Sequence, residues 1–129
     1  MDREASCSCG GLRIRVRGEP VRVSVCHCLE CQKRSGSVFA MQARFDPANV
    51  ETAGEGKTFV RSGDSGSRIT QTFCPNCGST VWYQIEGDPR FAVPVGAFAD
   101  PGFPAPAFSV YEERMHAWVR MPDGIERMD

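Results

Sequence analysis

A chain of 129 residues has room for one hydrophobic core and buries roughly two thirds of the surface that its unfolded form exposes. With 15 Lys and Arg against 16 Asp and Glu, a net charge of -1 and 41% hydrophobic residues, it excludes intrinsic disorder and disfavours nucleic acid as the main partner. The first residues, Met1 to Ser6, lack the apolar core of a secretion signal, and no apolar run is long enough to cross a bilayer. A soluble cytoplasmic protein with no membrane partner is the expectation.

Nine prolines and 13 glycines punctuate the chain, leaving no long stripe of helical period, and the fold class read from the pattern is mostly β. Leu12, Ile14 and Val16 alternate with arginines, Gly18-Glu19-Pro20 reads as a turn, and Val21 to Val25 alternates again, so a hairpin is expected there. Phe39, Met41, Ala43 and Phe45 mark the next strand, after which Asp46 caps a short helical turn with Pro47 in its first position. Further strands are expected over 57–61, 68–73, 80–85 and 91–95, separated by turns at 62–66 and 87–89. Prolines from Pro101 to Pro106 predict a loop, and a last strand is expected over about 109–119. No repeat or linker marks a second domain, so residues 1–129 read as one.

The seven cysteines are an odd number in a chain without a secretion signal, which reads better as reduced thiols than as a disulfide framework. Phe73-Cys74-Pro75-Asn76-Cys77-Gly78 is the most specific local signal: a Cys-x-x-Cys turn aims two sulfurs at one ion, and the following glycine tolerates the positive φ of a tight turn. Two ligands do not close a structural site, and Cys7 and Cys9, on one face if extended or in a bend allowed by Gly10 and Gly11, are the best second pair. Such an ion would staple the N-terminal hairpin to the hairpin at 68–85. A redox Cys-x-x-Cys expects a βαβ pattern that is not seen here.

Cys26-His27-Cys28-Leu29-Glu30-Cys31 packs three more thiols into six residues. Cys26 and Cys28 share a face if the strand from Val21 continues, and Cys31 can return to them through a turn. Alternation points His27 away, so it is read as a non-ligand; Glu30 or the distant His116 could close the site. If none does, the fourth position is open, as in catalytic zinc sites. Lys33 and Arg34, directly after this cluster, could bind a substrate carboxylate or offset thiolate charge. Of Trp82 and Tyr83, one is expected in the core and the other nearer a cleft.

Cys7-Ser8-Cys9-Gly10, the run from Cys26 to Lys33 with Ser35-Gly36-Ser37, Phe73 to Ser79 with its Cys-x-x-Cys, and Val95-Gly96 leading to Asp100-Pro101 resemble, in order and interval, the motifs of the glutathione-dependent formaldehyde-activating enzyme family, the centromere protein V/GFA-type domain. The resemblance implies a β-tent-type fold of short antiparallel sheets stapled by zinc, with a structural zinc on Cys7, Cys9, Cys74 and Cys77 and a second zinc on Cys26, Cys28 and Cys31. It also implies a carbon–sulfur lyase acting on S-(hydroxymethyl)glutathione and formaldehyde, with a small-molecule thiol such as glutathione as partner. The other class of function open to the sequence is a non-catalytic zinc scaffold that binds a protein, which differs in having its second site closed.

Overall fold

The computed structural model describes residues 1–63 and 66–128. β1 (Asp2–Ser6), β2 (Leu12–Arg17) and β5 (Val50–Gly54) form a three-stranded antiparallel sheet in the order β1-β2-β5. The larger sheet takes β3 (Arg22–Cys26), β4 (Ala40–Phe45), β6 (Lys57–Ser62), β7 (Arg68–Phe73), β8 (Thr80–Ile85), β9 (Asp88–Pro94), β10 (Phe108–Val110) and β11 (Glu126–Met128). Its order is β11-β10-β3-β4-β9-β8-β7-β6, antiparallel except for β10, which runs parallel to both of its neighbours. Among the described residues one α-helix, α1 (Leu29–Ser35), is present, between β3 and β4.

The core lies between the two sheets. β2 alternates strictly, placing Leu12, Ile14 and Val16 inside and its arginines in solvent, and these apolar residues join Val23, Ala43, Phe45, Val81 and Val93 of the larger sheet in one buried cluster. β3 is instead buried along both faces from Val23 to Cys26. Val23 belongs to the core, while Arg22, Ser24 and Cys26 line a cavity on the other side of the sheet.

The hairpin expected over 12–25 does not form. Both strands exist, but β2 pairs with β1 and β5 while β3 pairs with β4 and β10, so Gly18-Glu19-Pro20 carries the chain from one sheet to the other. The long strand expected over 109–119 stops at Val110, because Tyr111 adopts φ 57 and breaks the ladder into a 3-10 turn at Glu112–Arg114. The capped turn after Asp46 is present, with the Ala48 N–H donating to Asp46 Oδ1 at 3.1 Å. Asp64 and Ser65, in the turn expected at 62–66, lie outside the described residues. At Gly54, φ is 94 and a Cβ would fall 1.8 Å from the Gly11 carbonyl oxygen, so close approach of β5 to the first cysteine turn requires glycine.

Candidate metal centres and the adjoining cavity

Cys7 and Cys9 sit in the β1–β2 turn, and Cys74 and Cys77 in the β7–β8 turn. The two turns are built alike: Gly10 N–H donates to the Cys7 carbonyl at 3.1 Å and Gly78 N–H to the Cys74 carbonyl at 2.8 Å, with both glycines at positive φ. Each turn also aims a backbone donor at sulfur, from Leu12 N–H to Cys7 Sγ at 3.2 Å and from Asn76 N–H to Cys74 Sγ at 3.4 Å. Cys9 Sγ lies 3.6 Å from both Cys7 Sγ and Cys74 Sγ, and all four sulfurs fall within 4.8 Å of one another. Disulfide bonding needs about 2.0 Å, whereas tetrahedral zinc with 2.3 Å bonds sets its sulfurs about 3.8 Å apart, and the observed spacing is of the second kind. Backbone donors from Ser79 and Cys9 pull the Cys77 thiol down to about 5, favouring a thiolate before any ion arrives.

The second cluster is local. Cys26 ends β3, Cys28 is the N-cap of α1, and Cys31 is buried in the first turn of that helix; the three sulfurs also lie within 4.8 Å of one another. Cys28 Sγ takes the place of the usual capping oxygen, accepting the Cys31 N–H at 3.3 Å. Hydrogen bonds from Cys26 and Cys31 hold Cys28 at about 2, with the charge of Arg61 acting in the same direction. Cys26 is raised because its proton is held in the bond to Cys28. For Cys31 the bond with Cys26 favours the thiolate, but the bond with Cys28, burial and the Cys28 charge outweigh it. The three shifts oppose one another, down at Cys28 and up at Cys26 and Cys31, as expected of thiols too close to ionise together without a cation.

His27 points the other way, as alternation predicts. It is fully buried, its Nε2 lies 3.0 Å from Ser109 Oγ, and Ser109 Oγ donates to Glu112 Oε2 at 2.6 Å. Since the hydroxyl has one hydrogen and gives it to Glu112, His27 Nε2 is the donor to Ser109. Glu112 in turn pairs with Arg127 at 3.0 Å, so this chain of contacts ties the cysteine loop to β10 and β11.

A cavity of about 290 Å³ adjoins the three-thiol cluster, lined by Cys26, Cys28 and Cys31. Met128 of β11 and Arg61 of β6 also line it, although they come from the two ends of the strand order, so the larger sheet curls around this space. Arg22, Arg44 and Arg90 add three more guanidinium groups. Asp88 is tied to Arg90 at 2.7 Å and its carboxyl is held down at about 2 by that bond. Burial pushes the Tyr83 phenol up to about 12, so the cavity meets a neutral hydroxyl-bearing ring there. The four-sulfur cluster does not line this cavity.

The family model for the glutathione-dependent formaldehyde-activating enzyme matches residues 2–118. The chain belongs to this family. It is 26% identical over 129 residues, 95% of this chain and 79% of the other, to a putative glutathione-dependent formaldehyde-activating enzyme of Halomonas elongata. It is 30% identical over 81 residues, 62% of this chain and 56% of the other, to an uncharacterized lyase of Schizosaccharomyces pombe. A crystal structure of a Rhodobacter sphaeroides protein superposes with a TM-score of 0.56 at 20% identity, covering 77% of this chain and 88% of that one, and shares the fold.

Of the residues that sequence reading puts beside the formaldehyde-activating family's cysteines, two are not on the cavity. Lys33 is in solvent and 3.8 Å from Glu30. Arg34 is half-buried behind the cluster, its guanidinium 5.0 Å from the Tyr83 ring centroid. His116 bonds Gln32 at 3.0 Å in an exposed position, and neither it nor Glu30 joins the sulfurs. Trp82 packs in the core against Phe91, whereas Tyr83, also buried, faces the cavity. The cavity arginines belong to no sequence motif, although Arg22 and Ser24 are in phase with Cys26 on one strand, a signal that shares its face with the thiol. No helix among the described residues is long and apolar enough to cross a membrane.

Proposed function

We propose that the protein is a zinc-dependent carbon–sulfur lyase that makes or breaks the adduct between a glutathione-type thiol and an aldehyde such as formaldehyde. In this reading Cys7, Cys9, Cys74 and Cys77 would hold a structural zinc, and Cys26, Cys28 and Cys31 would hold a second zinc at the cavity wall, where it could take a substrate thiol. The observation that carries it is the placement of three convergent sulfurs, joined by no fourth donor among the described residues, on the wall of a cavity lined by four arginines. A scaffold site would have all four positions filled by protein donors, as the four sulfurs of the other cluster can do.

Zinc bound by three cysteinates has a formal charge of about -1, and such an electron-rich centre is suited to holding a fourth sulfur as thiolate rather than to activating water. The chain's own residues complete the site. Arg61, whose charge acts on Cys28, offsets the negative cluster from across the cavity, and the charge of Arg34, which does not line the cavity, acts in the same sense on Cys31. The His27–Ser109–Glu112 contacts fix the loop that presents the sulfurs. In the synthetic direction the substrate sulfur forms a bond to the aldehyde carbon, the carbonyl electron pair moves to oxygen, and that oxygen takes up the proton released by the thiol. The lyase direction reverses each step. Seven reduced cysteines suit a cytoplasmic setting.

Cobalt substitution tests this function. Adding glutathione to the cobalt protein is expected to change its sulfur-to-metal charge-transfer spectrum, and Cys28→Ser to abolish the change. A spectrum indifferent to millimolar thiol would move the assignment to the scaffold class.

A further inference from the structure

The cavity floor has an order that the cysteines alone do not reveal. β3 and β4 pair with Cys26 opposite Ala40, Ser24 opposite Gln42, and Arg22 opposite Arg44. Side chains of one face recur every two residues, so these rungs lie about 6.7 Å apart and the guanidinium rung begins about 13 Å along the strand from the thiol rung. Arg44 is also opposite Ala92 on β9, which sets Arg90 diagonally beside it on the cavity face.

Two features of these rungs are unfavourable in the free protein. Like charges directly opposite each other across a sheet destabilise it, and among the described residues no carboxylate forms an ion pair with Arg22 or Arg44. Arg22 is held there nonetheless, its guanidinium 4.5 Å over the Phe108 ring, with its Nε buried and without a partner. On the middle rung Gln42 is 2% exposed; its Nε2 donates to Ser24 Oγ at 3.3 Å, but its Oε1 has no partner. Glu126 and Asp88 act on Arg22 and Arg44 only from beyond ion-pair distance, so a buried acceptor and two guanidinium groups without a bonded carboxylate on one polar floor are what a ligand with a matching donor and anion would satisfy.

We propose that this floor is a ruler for a cysteinyl peptide: sulfur at Cys26, Cys28 and Cys31, a peptide N–H on Gln42 Oε1, and a remote carboxylate on Arg22 and Arg44. The assignment rests on the proposed sulfur chemistry for its orientation and adds the residues that select the substrate class. It distinguishes a cysteine whose amino group is acylated by a carboxylate-bearing group from cysteine itself, which cannot reach from the first rung to the third.

Calorimetry on the metal-loaded protein tests it with glutathione, S-methylglutathione, cysteine and 4′-phosphopantetheine. Glutathione is expected to bind at least roughly tenfold tighter than cysteine, and Arg44→Gln to weaken glutathione and S-methylglutathione by roughly tenfold while leaving cysteine unchanged. Arg44→Lys, which keeps the charge but loses the fork, is expected to fall between. Because Arg44→Gln removes a repulsion, its melting temperature is expected to hold or rise, which separates a binding loss from a folding loss. If Arg44→Gln and Arg22→Gln both bind glutathione as the wild type does, the ruler is overturned even where the cobalt spectrum still responds to thiol. Tighter, Arg44-dependent binding of 4′-phosphopantetheine would overturn the peptide class in favour of a phosphate. Arg44-dependent binding of S-methylglutathione beside a cobalt spectrum blind to every thiol would keep the carboxylate site and reject the sulfur chemistry.

Discussion

The two cysteine clusters use one donor atom and are assembled in opposite ways. Cys9 and Cys74, 65 positions apart, meet because two glycine-containing turns from different sheets face each other. Cys26, Cys28 and Cys31 meet because a strand runs into a helix within six residues. The first arrangement joins distant pieces of chain and stays off the cavity; the second joins almost nothing and opens onto it. Sulfur geometry alone does not separate a staple from a reactive centre. What separates them is how much of the fold depends on the sulfurs meeting, and whether protein sulfurs fill all four positions or three of them line a cavity.

The sharpest way to break this contrast is to remove one ligand from each cluster. Cys74→Ser or Cys9→Ser is expected to leave the chain unfolded or to lower its melting temperature by roughly 15 °C or more, followed by circular dichroism, because metal-binding energy at such a site is folding energy. Cys28→Ser is expected to melt within about 5 °C of the wild type. Equal losses would make both clusters structural. Metal release sharpens the same point: elemental analysis is expected to find two zinc ions per chain, one lost to a chelator well before the other, and Cys28→Ser to remove the fast fraction. A single ion per chain would leave the cavity cluster without its chemistry.

Smaller effects probe how the open cluster is held. Ser109→Ala strips the acceptor from His27 Nε2 and the donor from Glu112 in a fully buried place, and is expected to cost about 1–3 kcal/mol in denaturant melts. Burial keeps His27 on the neutral side, so the variant loses a neutral contact and not an ion pair. The smallest effect is at the far end of the cavity. The Asp88 carboxyl lies at about 2 when folded, against an ordinary value of 3.8. A lowered folded value stabilises above the unfolded one and the benefit is lost as pH falls through the folded value. Asp88→Asn is therefore expected to be less stable than wild type by under about 1 kcal/mol at pH 7, with the difference vanishing between pH 4 and pH 2.

Both clusters were legible because cysteine spacing is local information, and the strands at 40–45, 57–62, 68–73 and 80–85 were legible from alternation and turn residues. Partner choice was not. The alternation in 12–17 is equally satisfied by any neighbour, and here the neighbours are β1 and β5, neither of which the pattern had marked, rather than the next strand in sequence. Helix α1 escaped because it has seven residues and is capped by a sulfur instead of Ser, Thr, Asp or Asn. Arg22 and Arg44 look like the solvent side of amphipathic strands, and only the curl of the sheet turns that side into a cavity wall. Lys33 and Arg34 adjoin the cluster in sequence, but helical geometry spreads them to different sides.

β3 carries two texts in alternate letters, Val23 and Val25 written for the core and Arg22, Ser24 and Cys26 for the cavity. Substitutions can edit either text without touching the other. Inserting or deleting one residue within the strand exchanges them, sending arginine and thiol toward the core and valine toward the ligand. Descendants of this sequence are therefore free to change what the cavity recognises one side chain at a time, but this strand forbids them to do so by changing its length.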